Sequence, residues 1–387
     1  MKKILILGPF GDYGGRDVEV NIIAKALCNN YKVRIVSTSY MTNNSFALNE
    51  IHEKVQSSTL DKIITDRYRI IRILAFLNAF KNGNTKHFFG YASNTWAKRY
   101  FNYYKKRLKV LYDILLESNL VIMPVQLSSL YLKETILFCE TNNIPILVRT
   151  TGTIFNVPKN IKSILNKVNF FIHHSKANAR NLEFFLPHNY VVIDQCCTCE
   201  SQLLKLKINN QGPLKFGFLG RLSEEKQIIP LTKIFIELGY SFFIAGDGPL
   251  LGDILKMIDK APNVFYLGLV EHGQLADFFK LIDVLVVASK EETGPLVGLE
   301  AMAAGKIIVS TPVGAMIERL EMSNNSFWFS QDNLASIEQI IFKLNKLKGD
   351  AVCKIGLENR NLYLKQYSTH IIKREYQNIV SLVVNNA

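Results

Sequence analysis

No apolar run in this chain of 387 residues approaches the ~20 that a membrane-crossing helix needs. Cysteine is scarce as well. The six (Cys28, Cys139, Cys196, Cys197, Cys199 and Cys353) are too few and too scattered for a disulfide framework in a chain of this size. Cys196-Cys197-Thr198-Cys199 lacks the second pair that a structural zinc site takes. His173-His174 lie in an apolar stretch that reads as a strand, so buried thiols in a reducing compartment are expected and no metal. Acidic residues are outnumbered, 33 against 46 Lys and Arg, for a formal charge of +13. With 48% apolar and 20% charged residues the composition is globular, and the length suits two domains of ordinary size. Lys2-Lys3 followed by Ile4-Leu5-Ile6-Leu7 has the look of a signal peptide, but Gly8-Pro9-Phe10-Gly11-Asp12 breaks the apolar run far too early. A first β-strand and a cytoplasmic protein are the expectation.

What is present is an alternation of short apolar strands with helical segments. Lys3 to Leu7, Lys32 to Val36, Leu120 to Met123, Ile144 to Val148, Val168 to Ser175 and Tyr190 to Ile193 read as strands, and Val18 to Cys28 as a helix. Such alternation argues for parallel sheets with helices on both faces. The turn-rich stretch from Leu206 to Leu214 reads as a linker. It would divide an amino-terminal α/β domain, 1–205, from a second over 214–365.

Charge is concentrated between Lys62 and Lys109, where twelve Lys or Arg face one acid, Asp66. Aromatics are interleaved there, Trp96, Tyr100 and Phe80 among them. A solvated basic face, an anionic lipid surface and a nucleic-acid surface are all compatible with that mix. The lipid reading is favoured, because cations with Trp, Tyr and Phe suit a membrane interface and no nucleic-acid motif accompanies them.

The densest signal is Ser289 to Gly305. The apolar run Val284 to Ala288 leads into a loop, Thr293-Gly294-Pro295, and then a helical stretch ending at Gly305. Glu292 and Glu300 stand eight residues apart across this strand–loop–helix junction, which in a parallel sheet is the ligand-binding end. The helix start offers free N–H groups for phosphate oxygens. The carboxylates suit sugar or ribose hydroxyls instead, since phosphate would repel them. Upstream, Gly220-Arg221-Leu222 with Lys226 follows one strand, and Gly246-Asp247-Gly248-Pro249 follows the next. Arg221 offers a planar fork and Lys226 a point charge, a combination suited to a diphosphate.

This ordered series, over roughly residues 214 to 315, resembles the carboxyl-terminal half of glycosyltransferase family 4, the retaining GT-B sugar transferases. The resemblance implies an α/β fold of two facing Rossmann-like domains with a cleft between them, and a carboxyl-terminal segment, 366–387, that returns to the first domain. It implies a UDP- or GDP-sugar donor held by Gly220, Arg221, Lys226, Gly246, Glu292, Thr293, Gly294, Pro295, Leu296, Val297 and Glu300. Glu292, Arg221 and Lys226 would carry the chemistry, Glu292 at the sugar and the two cations at the diphosphate. Glu300 would hold the ribose.

Gly14, Gly15 and Arg16 resemble the family's acceptor-side loop, and Thr151 falls nearest the place where many members carry a His. Arg149-Thr150-Thr151-Gly152-Thr153 thus departs from the pattern, as does Asp194-Gln195-Cys196-Cys197 where Asn-Gly-Val-Asp is usual. Asp-x-Asp occurs nowhere, so no metal is expected at the diphosphate, and no cofactor. The leaving group would be stabilised by cations and helix dipole. A polyprenyl-diphosphate-linked acceptor of bacterial surface polysaccharide synthesis, at the inner face of the plasma membrane, is the setting implied. A nucleotide-sugar epimerase and a non-catalytic binding subunit of the same fold are the alternatives. The first lacks a clear His–carboxylate set, and the intact Arg221, Lys226, Glu292 and Glu300 speak against the second. A dinucleotide site is weak, because Gly8, Gly11, Gly14 and Gly15 do not make Gly-x-Gly-x-x-Gly.

Overall fold

The structure, a computed structural model, describes residues 1–209 and 212–385 and divides into two units, each built on one parallel sheet. In the first, β1 (Lys3–Gly8), β2 (Lys32–Ser37), β3 (Gln56–Thr59), β4 (Leu120–Val125), β5 (Ile146–Thr150), β6 (Phe170–His173) and β7 (Tyr190–Val192) lie in the order β3-β2-β1-β4-β5-β6-β7. In the second, β8 (Phe216–Leu219), β9 (Phe242–Ala245), β10 (Val264–Tyr266), β11 (Val284–Val287), β12 (Ile307–Ser310) and β13 (Phe327–Trp328) follow the order β10-β9-β8-β11-β12-β13. Every strand pair is parallel. Central strands such as β4 and β11 are buried along their whole length, which is why they read as unbroken apolar runs rather than alternating ones. In each unit the chain starts in mid-sheet, winds outward, and returns to the other side of its first strand. The resulting switch points lie between β1 and β4 and between β8 and β11.

The units do not divide where the linker was expected. The first comprises Met1–His173, Ala179–Ile193 and Lys373–Ala387; the second comprises His174–Asn178 and Asp194–Ile372. Residues 194–205, assigned from sequence to the first domain, therefore belong to the second, for three physical reasons. The Asp194 carboxylate accepts two hydrogen bonds from the Arg319 guanidinium, at 2.8 and 2.6 Å. Cys197 and Leu203 pack in one core with Leu299 and Met302. Glu200 accepts from the Tyr363 hydroxyl at 2.7 Å and from the Thr369 N–H at 2.6 Å. Residues 206–209 and 212–214 consequently lie within the second unit. The Leu206 carbonyl accepts from Arg360 at 2.8 Å, while Asn210 and Gln211 of the expected linker lie outside the described residues. His174–Asn178 joins the second unit because the Glu318 carboxylate takes the N–H groups of Lys176 and Ala177, each at 2.8 Å.

The carboxyl-terminal expectation fares differently. Two helices, Gly349–Gln366 and Thr369–Asn385, end the chain, and the residues from Lys373 onward count with the first unit. There the Tyr376 hydroxyl donates to Glu19 Oε1 at 2.9 Å, and Gln377 donates to the Ala26 carbonyl at 2.8 Å. Glu19 also takes the buried Arg149 Nε at 2.5 Å, and Arg149 donates to the Ile193 carbonyl at 2.5 Å. The polar groups of this core are thus satisfied by one another.

Candidate functional site

The carboxyl ends of β8, β9 and β11, at the switch point of the second sheet, gather most of the residues singled out by sequence. The turn after β9 meets the turn after β8 so closely that a Cβ on Gly246 would stand 1.9 Å from the Gly220 carbonyl oxygen. Gly246 also sits at φ +136°, so only glycine fits. This contact fixes where Arg221 leaves the sheet. The Arg221 side chain is exposed and makes no hydrogen bond among the described residues.

Lys226 and Glu292 are brought together. They form an ion pair between the loop after β8 and the loop after β11, with both side chains about one-fifth exposed. Burial lowers the Lys226 pKa. Two further links close the same gap. The Lys290 N–H donates to the Glu225 carbonyl at 2.9 Å, and Gln227, itself at φ +53°, donates to the Ala288 carbonyl at 3.0 Å. Any ligand reaching for both Lys226 and Glu292 must share or open their pair.

The loop Thr293–Pro295 is gripped from behind. The Ala315 N–H donates to the Thr293 carbonyl at 2.9 Å. Gly314, at φ +50°, stands so close that a Cβ there would come within 2.3 Å of that same carbonyl oxygen. Arg319 is wholly buried. Besides its fork on Asp194 it donates from Nη1 to the Pro295 carbonyl at 2.7 Å. One side chain thereby ties Asp194, through two donors, to Pro295, the residue that precedes the helix Leu296–Ala304, through a third. The N–H groups of that helix's first turn have no carbonyl of their own helix to bond, and they carry the positive end of its dipole.

Glu300 lies within this helix and is only 4% exposed. It makes no hydrogen bond among the described residues. Burial pushes its carboxyl up to about 7, with no cation nearby to oppose the shift. The neighbouring Cys197 thiol is raised too, by burial first and by Glu300 second, so it stays neutral. A buried carboxyl left without a partner costs free energy unless something arrives to bond it.

In the first unit, Gly14 precedes the helix Gly15–Leu27, and Asp17 Oδ1 accepts from the Gly11 N–H at 2.8 Å. Arg16 and Thr151 meet. The guanidinium donates to the Thr151 hydroxyl at 3.2 Å and to the Pro9 carbonyl at 3.0 Å, while its Nε is buried without a partner among the described residues. Burial lowers the Arg16 pKa and raises that of Asp17. Among the described residues no group of three or more His, Cys, Asp or Glu is arranged to hold a metal ion.

Residues that sequence reasoning missed are the ones that position the others. Arg319 belongs to no motif, and Asp194 reads as a departure from one. Their pairing, 125 positions apart, leaves no periodic trace.

The comparisons with known proteins fall on this region. Residues 213–346 match the family described as Glycosyl transferases group 1. That span holds every residue of the β8–β11 site. An uncharacterised glycosyltransferase, MJ1607 of Methanocaldococcus jannaschii, is 29% identical over 174 residues, 43% of this chain and 44% of that protein. The alpha-monoglucosyldiacylglycerol synthase of Acholeplasma laidlawii is 30% identical over 122 residues, 30% of this chain and 31% of that protein. The chain thus spans less than half the length of the curated relatives it matches. Among solved structures, Anabaena Alr3699/HepE in complex with UDP and glucose superposes with a TM-score of 0.69 at 15% identity, over 98% of this chain and 100% of that one. At that identity the likeness establishes the fold, which is GT-B.

Proposed function

We propose that the protein is a retaining, metal-independent glycosyltransferase. It moves a hexose from a UDP- or GDP-sugar to a glycan acceptor carried on a lipid, of the polyprenyl-diphosphate kind, in bacterial surface polysaccharide synthesis such as O-antigen or capsule. The observation that carries the reading is the Lys226–Glu292 pair at the β8/β11 switch point, beside a helix whose buried Glu300 carboxyl makes no hydrogen bond among the described residues. Arg221 and Lys226 take the diphosphate, and the first turn of the helix Leu296–Ala304 adds its N–H groups. Glu300 accepts from the ribose hydroxyls. Glu292, released by the diphosphate's claim on Lys226, turns to the sugar. Positive charge and helix dipole meet the charge that builds on the departing diphosphate, with no metal required. The relative from Anabaena binds UDP and glucose on the same fold, which supports the donor class.

The test is calorimetry of UDP- and GDP-sugars without added metal, on wild type and Arg221→Ala. One donor should bind, and the variant should bind it at least about tenfold more weakly, as loss of a charge-assisted hydrogen bond predicts. Equal binding by the variant, or no binding across the panel, would overturn the assignment.

The membrane setting has its own support. The helix Arg69–Lys81 buries Ile71, Ala75 and Ala79 and turns Ile70, Ile73, Leu77 and Phe80 outward, Leu77 59% and Phe80 71% exposed. These four recur at three- and four-residue spacing, a continuous apolar stripe flanked by Arg69, Arg72 and Lys81. Trp96, Tyr100 and Tyr104 are exposed nearby in sequence. Among the described residues no helix is long and apolar enough to cross a membrane, so the proposed contact is peripheral. The double variant Leu77→Ser/Phe80→Ser should cut sedimentation with vesicles containing anionic lipid by about tenfold, while melting as wild type does because both side chains face outward. Unchanged sedimentation would remove this helix from the membrane contact.

A further inference from the structure

A second cavity, of about 530 Å³, is built wholly from the first unit and takes no part in the donor site just described. It opens at the carboxyl edge of β1, β2 and β3, the edge where parallel sheets receive ligands. Two exposed cations, Lys62 and Lys86, line it, with His87 beside Lys86. Neither lysine has an ion-pair partner among the described residues. The cavity's one carboxylate, Asp12, is already engaged. Its oxygens accept from the Thr42 N–H at 2.7 Å and from the Thr42 hydroxyl at 2.9 Å. The lysines therefore keep their charge for something that comes from outside. Hydroxyl and amide groups from Ser57 and Asn43 complete a polar lining of the kind that sugar hydroxyls bond.

The cavity also has an aromatic part, linked by ring contacts to the helix Arg69–Lys81. Phe89 lines the cavity and stacks on Tyr40, with ring centroids 5.9 Å apart. Its neighbour Phe88 packs edge-on against Phe76 of the helix Arg69–Lys81 at 6.1 Å, with the Arg72 guanidinium 5.8 Å from the Phe88 ring. A molecule with an anionic polar head and an apolar tail would find hydroxyls, amides, Lys62 and Lys86 for its head and an aromatic rim, linked through Phe88 to the helix Arg69–Lys81, for its tail.

We infer that this cavity binds the acceptor, and that the acceptor is an amphiphile whose polar head carries a phosphate, seated on Lys62 and Lys86, with its chain running out along the helix Arg69–Lys81. The inference rests on the transferase reading for the word acceptor, while the binding site stands on its own residues.

The experiment titrates geranyl phosphate into the full chain held at saturating UDP, so that the donor site cannot capture the probe. Wild type is compared with Lys62→Gln/Lys86→Gln; both side chains are exposed, and matching melting curves establish that the variant folds. The variant should bind geranyl phosphate about tenfold more weakly or worse, and UDP as tightly as wild type does. Geraniol and inorganic phosphate, run separately, should each bind far more weakly than geranyl phosphate. Equal affinity in the variant would overturn the site, and inorganic phosphate binding as well as geranyl phosphate would overturn the amphiphile. Failure of UDP to bind either protein would count against the transferase reading alone, because the lysine dependence is read separately.

Discussion

Arg319→Met should lower stability by about 3–5 kcal/mol and abolish measurable nucleotide binding. The guanidinium is wholly buried and spends its donors on both Asp194 oxygens and on the Pro295 carbonyl. Methionine fills much of the same space but leaves the Asp194 carboxylate, only 8% exposed, without its counter-charge. That uncompensated charge is the larger part of the loss. The smaller part falls on the loop Thr293–Pro295, since Pro295 precedes the helix that carries Glu300 and its carbonyl would lose one of its two donors, the one from outside that helix. A second variant separates the two. Arg319→Met/Asp194→Leu removes both charges and should recover most of the stability, as paired removal of buried ions commonly does, yet nucleotide binding should stay weak because the Pro295 carbonyl keeps only the Gly298 N–H of its own helix and nothing ties it to the helix that carried Arg319. Chemical denaturation reads the first quantity and calorimetry the second. A single variant within about 1 kcal/mol of wild type would show that the pair does not hold this part of the fold.

The same pair marks where the sequence stopped being legible. Strand positions could be read because β1, β4, β8 and β11 are short apolar runs ending in glycine or a turn, and a buried parallel strand has no other way to look. The place of Arg221, Lys226, Glu292 and Glu300, the residues proposed for the donor, could be read because their spacing is tied to the strand–loop–helix junctions that hold them, and all four fall on the β8–β11 half of the sheet. What spacing does not carry is contact between distant segments. The ion pair between Lys226 and Glu292 joins positions 66 apart, and the boundary near residue 194 is set by a partner at 319. The stretch 206–214 reads as a linker because it is polar and turn-rich, but turn chemistry describes a bend and says nothing about which core lies beneath it. The Arg16–Thr151 contact likewise joins two loops that follow different strands, and neither loop encodes the other.

Glu300→Gln should give opposite signs in two measurements. The carboxyl is buried, unbonded among the described residues and raised to about 7, so wild type folds with this group largely neutral at mildly acidic pH and partly charged at neutral pH. A raised acid contributes stability that is fully present below the unfolded-state value near 4.5 and lost as pH climbs through about 7. Wild type should therefore lose stability across that window, by on the order of 3 kcal/mol in total from this group. Glutamine does not titrate, so the variant should match wild type near pH 4 and exceed it at pH 8. Nucleotide affinity should run the other way. Ribose hydroxyls donate, and the charged carboxylate is the stronger acceptor, so wild-type affinity should rise with pH up to about 7 and then level off, whereas the variant should bind weakly and with a flat profile. A gain in stability at pH 8 coupled to a loss of nucleotide affinity would identify Glu300 as a group held at a cost to the fold for the sake of a ligand. A variant less stable than wild type at pH 8 would mean that the carboxylate has a structural partner, and its assignment to the ribose would fall with that result.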